Sequence, residues 1–228
     1  MRRALVVANW KMHGRLAMLD DYVAGLGEES AGSVDVVVCP PTLYLSAFAA
    51  QLAHSHAHLG AQDCAAQIQD GAFTGEVSAA MLADVGCRWV IVGHSERRQG
   101  MGETDALVAA KFIAAQSAGL NPILCVGETK TERAEGRAYA TVLAQLEAVL
   151  DRVDPQSLGD AALAYEPVWA IGSGEAAEPG DAEAIQKVLR EAVGKRSRAA
   201  AQSLRILYGG SVKPDNAGDF FASDHVDG

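Results

Sequence analysis

The sequence predicts an α/β fold whose parallel sheet closes into a barrel, and three observations carry that expectation. Short β-rich apolar runs recur along the chain, helical patterns fill the intervals, and polar residues stand just after several different runs. Most of the runs are apolar on successive residues, as in parallel strands covered on both faces. An open doubly wound sheet concentrates its site at one switch point, whereas a barrel gathers residues from many strand ends onto one face. Here Asn9 and Lys11 follow the first run, Gln62 and Asp63 the third, His94 the fourth, Glu166 the sixth and Gly209-Gly210-Ser211 the seventh. That distribution favours the barrel.

The strand-like runs are, in order, ALVVANW (4–10), VDVVVC (34–39), AHLGAQ (57–62), RWVIVG (88–93), LNPILCV (120–126), AALAYE (161–166) and LRILYG (204–209). Between them, RLAMLDDYVAGL, LSAFAAQLA, VSAAMLADV, DALVAAKFIAAQ, ATVLAQLEAVL and AEAIQKVLREAV repeat apolar residues at spacings of three and four, the mark of amphipathic helices. Asp181, after Pro179 and Gly180, reads as a helix start. The result is seven βα repeats in one direction. No Ser-rich linker or composition shift divides them, so one domain spanning residues 1–228 is expected.

Composition narrows the function. A chain of 228 residues, 49% hydrophobic and 21% charged, buries a large core. Its net charge of −10 repels polyanions, which argues against nucleic acid or an anionic membrane as the main partner. Any anionic ligand must be held by a local device. No apolar run approaches the roughly 18 residues of a membrane span, and MRRALVVANWK breaks too early for a secretory signal, so a cytoplasmic protein is expected. Cys39, Cys64, Cys87 and Cys125 form no CxxC pair and read as packed thiols. The alternating His54, His56 and His58 lack a nearby acid or cysteine and read as a solvated connection more readily than as a metal site.

Among the strand-end residues, Glu166 is a carboxylate beside Pro167, Trp169 and Ile171, an apolar setting that suits a general base, although an acid capping a strand end reads equally well. His94 stands where Ser95-Glu96-Arg97 opens a helix, and the amides there favour an uncharged imidazole that donates a hydrogen bond. Taken alone, a histidine is more often structural. Lys11 is positioned to offset developing negative charge, against the plainer reading of an exposed lysine. Gly172-Ser173-Gly174 is not a dinucleotide fingerprint, and GETKT (127–131) lacks the glycine-lysine pair of a P-loop. YGGSVKP (208–214) is a better anion site: two glycines and Ser211 after a strand offer backbone N–H groups to phosphate.

Taken together, ANWKM (8–12), GAFTGEVSAAML (71–82), VGHSERR (92–98), YEPVWAIG (165–172) and YGGSV (208–212), in this order and across nearly the whole chain, resemble the triosephosphate isomerase family. That family is itself a standard illustration of a glutamate base working with a neutral histidine. The resemblance implies a (β/α)8 TIM barrel that interconverts dihydroxyacetone phosphate and glyceraldehyde 3-phosphate through an enediolate, with no cofactor and no metal. It implies that Glu166 moves the proton between C1 and C2, that His94 polarises the carbonyl, and that Lys11 and Asn9 stabilise the oxyanion. Glu96 then orients the site from behind, the amides of Gly172 and Ser211 grip the phosphate, PVWAIGSG forms a water-excluding lid, and Tyr208 and Ser211 latch it.

The resemblance also implies a homodimer in which Thr74 enters the partner's site and Glu76 pairs with Arg97 across the interface. This sequence departs from the family at three places. Ser173 and Glu175 stand where threonine and lysine are usual, which bears on lid kinetics; Gln99-Gly100-Met101 replaces interface aromatics, which bears on dimer affinity; and the chain stops at HVDG (225–228), so the eighth βα unit is largely absent. Strands one and seven are then expected to have unpaired edges. Two rivals are a Schiff-base aldolase using Lys11 and a non-catalytic phosphate-binding barrel.

Overall fold

The structure, a computed structural model, describes residues 2–26, 34–52, 55–170 and 177–228. Seven strands are present among them: β1 (Ala4–Asn9), β2 (Val34–Cys39), β3 (His58–Ala61), β4 (Trp89–Val92), β5 (Asn121–Val126), β6 (Ala162–Tyr165) and β7 (Arg205–Tyr208). They follow one another in the order β1-β2-β3-β4-β5-β6-β7. An unbroken sequential order leaves no switch point, so the doubly wound alternative is excluded. The ladders β1–β2, β2–β3, β3–β4 and β6–β7 are parallel, with Asn9 opposite Cys39 and Tyr165 opposite Tyr208.

The helices are α1 (Leu19–Gly25), α2 (Leu45–Leu52), α3 (Ala79–Asp84), α4 (Ser95–Gly100), α5 (Asp105–Ser117), α6 (Lys130–Ala134), α7 (Ala138–Leu150), α8 (Pro179–Arg196), α9 (Arg198–Ser203) and α10 (Ala217–Phe221). Local chemistry sets their starts. The Ser78 hydroxyl accepts the Met81 N–H ahead of α3, and Thr129 and Glu132 form a reciprocal capping box on α6. α8 begins at Pro179, two residues before the expected Asp181, because proline has no N–H to lose in the first turn and Asp181 instead places its charge there.

The contacts gather into two compact units. The first comprises Arg3–Val92 and Ala110–Ile123; the second comprises Gly93–Ala109 and Leu124–Gly228, with Arg2. In the first unit, Leu5, Val37, Val38, Leu59 and Val90 of the strands and Leu19, Phe48 and Phe112 of the helices are buried, and Trp10 meets Phe48 and Tyr22 edge-on at 5.1 and 4.8 Å. In the second, Leu124, Leu163 and Ile206 are buried, as are Val142, Leu146 and Leu189.

β1 stands at the end of the strand order, as expected, whereas the expectation for β7 needs correction. β4 and β6 are buried at every position, as covered parallel strands should be, but β1 buries Leu5 and leaves Val6 41% exposed. Its place at the end of the strand order accounts for the difference. The expected unpaired edge of β7 is occupied: the Asp227 N–H donates to Ile206 C=O and the Tyr208 N–H to Gly228 C=O, each at 2.8 Å. The Asp227 carboxylate also accepts the Ile206 N–H at 2.9 Å, Arg190 at 2.6 Å and Arg2 at 2.6 Å.

Candidate active site

The second unit brings His94, Ser95 and Glu166 together. Gly93, with φ +70°, lets the chain turn out of β4, and Arg98 holds the turn by donating to the Gly93 carbonyl at 2.7 Å. His94 is the N-cap of α4, and its Nδ1 accepts the Glu96 N–H at 3.2 Å. An acceptor nitrogen carries no hydrogen, so the ring proton is on Nε2. Nε2 lies 3.1 Å from Glu166 Oε1, while Oε2 of the same carboxylate accepts the Ser95 N–H at 2.8 Å. Both residues are buried, at 8% and 4% exposure. What Glu96 gives His94 is chiefly its amide, because its carboxylate is exposed and 3.7 Å from Nδ1.

Glu166 is positioned by its neighbours on β5. Its N–H donates to Val126 C=O at 2.8 Å, and a Cβ on Gly127 would overlap the Glu166 carbonyl. Just beyond, Glu128 is fully buried and accepts hydrogen bonds from Tyr165 Oη at 3.0 Å and Trp169 Nε1 at 2.9 Å. Arg133 stacks 4.5 Å over the Trp169 ring. Burial, with Glu128 adding to it, pushes the Tyr165 phenol far above its ordinary range. Sequence reasoning missed Gly127 and Glu128. The signal was GETKT at the end of the fifth run, an acid past a strand end that was weighed only as a P-loop.

After β7, the Gly209 N–H is taken by Tyr165 C=O at 2.8 Å and so is not available to an anion. The Ser211 hydroxyl donates to Ala170 C=O at 3.4 Å. The Tyr208 ring stacks on Phe220 at 4.1 Å; burial pushes its phenol up, against the opposing pull of the Ala177 backbone. Gly172, Ser173 and Glu175 lie outside the described residues, as does His54.

Asn9 and Lys11 belong to the first unit. Lys11 has φ +51°, the left-handed region that bulky residues avoid. Side chains hold it there: its N–H donates to Asn9 Oδ1 at 2.9 Å, and its carbonyl accepts Gln62 Nε2 at 2.9 Å. The same Gln62 amide reaches Cys39 C=O at 2.9 Å. Asn9, Lys11, Gln62, His94 and Glu166 all follow or close the C-terminal ends of strands.

A family model described as triosephosphate isomerase matches residues 4–228. The chain belongs to the triosephosphate isomerase family. A protein named triosephosphate isomerase from Alcanivorax borkumensis is 51% identical over 227 residues, covering 100% of this chain and 91% of the relative. Others of that name from Dechloromonas aromatica and Xanthomonas oryzae pv. oryzae are 50% and 49% identical, covering 100% of this chain and 92% and 91% of their own lengths. The parallel α/β barrel expected from the run of strands is the fold of this family.

Proposed function

We propose that this chain interconverts dihydroxyacetone phosphate and D-glyceraldehyde 3-phosphate through an enediolate, in glycolysis and gluconeogenesis, with Glu166 as the base. The observation that carries the assignment of roles is the pairing of a buried carboxylate with an imidazole whose Nε2 holds the proton. Oε2 of Glu166 accepts the Ser95 N–H, and Oε1 lies 3.1 Å from His94 Nε2. Substrate must therefore draw the carboxylate off the Ser95 amide before it can take a carbon-bound proton. Once released, His94 Nε2–H donates to the carbonyl oxygen and shuttles protons between the two oxygens.

Lys11 and Asn9 stabilise the oxyanion, and the amides of Gly172 and Ser211 hold the phosphate. The Trp169 indole, fixed between Glu128 and Arg133, anchors the near end of the lid. We read residues 1–228 as one domain and the protein as cytoplasmic. We also read it as a homodimer formed through the loop around Thr74. Residues 71–76 are exposed, Phe73 among them at 46%, which leaves this loop available to a second copy. Among the described residues no helix is long and apolar enough to cross a membrane.

A coupled isomerase assay in deuterium oxide tests the reading. Product bearing solvent deuterium at the carbon that gains the proton is the expected result. Borohydride trapping of substrate on Lys11 would favour the aldolase, and a silent full-length protein the phosphate-binding barrel.

A further inference from the structure

At the opposite end of β3 from Gln62, within the first unit, a cavity of about 370 Å³ opens among α2, the segment leading into β3 and the residue before β4. Among the described residues its polar lining is Ser55, His56, His58 and Arg88, with no carboxylate, in a chain that carries 29 acidic residues against 19 basic ones. Most guanidinium groups here are neutralised, as Arg2, Arg3, Arg98, Arg133 and Arg196 are by aspartates or glutamates. The exposed side chain of Arg88 has no hydrogen bond or ion pair to any described residue; only its backbone is engaged, with Leu59 and Asn121. Ser55 Oγ accepts the Ala57 N–H at 2.9 Å, so its own hydrogen is left to donate outward. The carbonyl of Leu52 at the end of α2 is occupied by the Ser55 N–H at 2.9 Å. Leu52 and Leu59 supply an apolar floor.

We propose that this cavity binds a small organic oxyanion, a phosphate or carboxylate group on a short carbon skeleton. Arg88 grips the anion in the forked manner of guanidinium, the His56 imidazole and the Ser55 hydroxyl complete the donors, and the leucines receive the carbon chain. The volume lies at the small end of the range of ligand cavities. His58 opens β3 and Gln62 follows it, so this site is separated from Lys11 by the length of the strand and is not part of the proposed catalytic face.

The test is a proton NMR titration of the full chain with inorganic phosphate, then with succinate, at fixed pH and ionic strength, following the His56 and His58 ring signals. Saturable shifts of both rings are expected. Arg88→Gln should weaken that response about tenfold or more, the scale of losing a charge-assisted hydrogen bond. His56→Gln, at a second exposed position, should weaken it as well. Absence of saturation, equal shifts with chloride, an unaltered response in Arg88→Gln, or rings that respond to zinc but not to either anion would each overturn the proposal.

Discussion

The side chain of Glu166 is held by groups that have no freedom of their own: the Ser95 amide at the start of α4 and an imidazole whose tautomer is set by the Glu96 amide. Gly127 matters for the same reason, since only a residue without a Cβ allows the end of β5 to lie against the Glu166 carbonyl. Gly127→Ala should therefore displace Glu166 by a fraction of an ångström or more and lower kcat roughly tenfold to a hundredfold, because misplacement near 1 Å is that damaging. Steady-state kinetics beside a thermal melt separates misplacement from unfolding, and unchanged kcat and Tm together would show that the backbone yields without consequence. His94 and Glu166 were legible as candidates through the motifs VGHSERR and YEPVWAIG taken together, since either residue alone reads at least as well as structural. Gly127 was not, because a close approach between two strands leaves no mark on either one read singly.

At the level of elements, the turn after β1 shows how one segment is braced by another. Lys11 occupies the left-handed region at a cost of about 1–2 kcal/mol, and Gln62, beyond β3, offsets this by bonding the Lys11 carbonyl. Gln62→Ala should let the turn relax, lowering kcat about tenfold with little loss of helix content by circular dichroism. A variant with wild-type kcat would mean that Asn9 suffices. Asp227 braces the other end of the chain against β7 and α8. Removing it in Asp227→Ala strands Arg190, whose side chain is 11% exposed, and should lower stability by about 3–5 kcal/mol in urea unfolding. A loss below about 1 kcal/mol would show that water replaces the carboxylate. The seven strands were legible to within a residue or two, since continuous apolar runs suffice for covered parallel strands. The docking of Asp227 on β7 was not, because it depends on which segment is a neighbour in space.

For the whole molecule, buried thiols and phenols set the response to alkali. Burial, with Cys87 adding to it, pushes the Cys39 thiol far up, and burial pushes Cys87 up to about 12. Tyr165 is raised in the same direction by burial and by Glu128. The unfolded chain releases these protons near 9 for thiols and 10 for phenols, while the folded chain keeps them. Above pH 9 the unfolded state thus binds fewer protons, and stability falls as pH rises, by at most about 1.4 kcal/mol per pH unit for each buried thiol. Urea midpoints at pH 8, 9.5 and 10.5 should decrease in turn; a flat series would contradict the burial of these groups.

The central claim, that the carboxylate of Glu166 moves the substrate proton, is tested most directly by comparing kcat/KM of the wild-type chain with that of Glu166→Asp in the isomerase assay. Shortening the side chain by one methylene withdraws the base from the carbon acid while preserving charge and fold, and a loss of about a hundredfold is expected. Equal values in the two proteins would contradict the account.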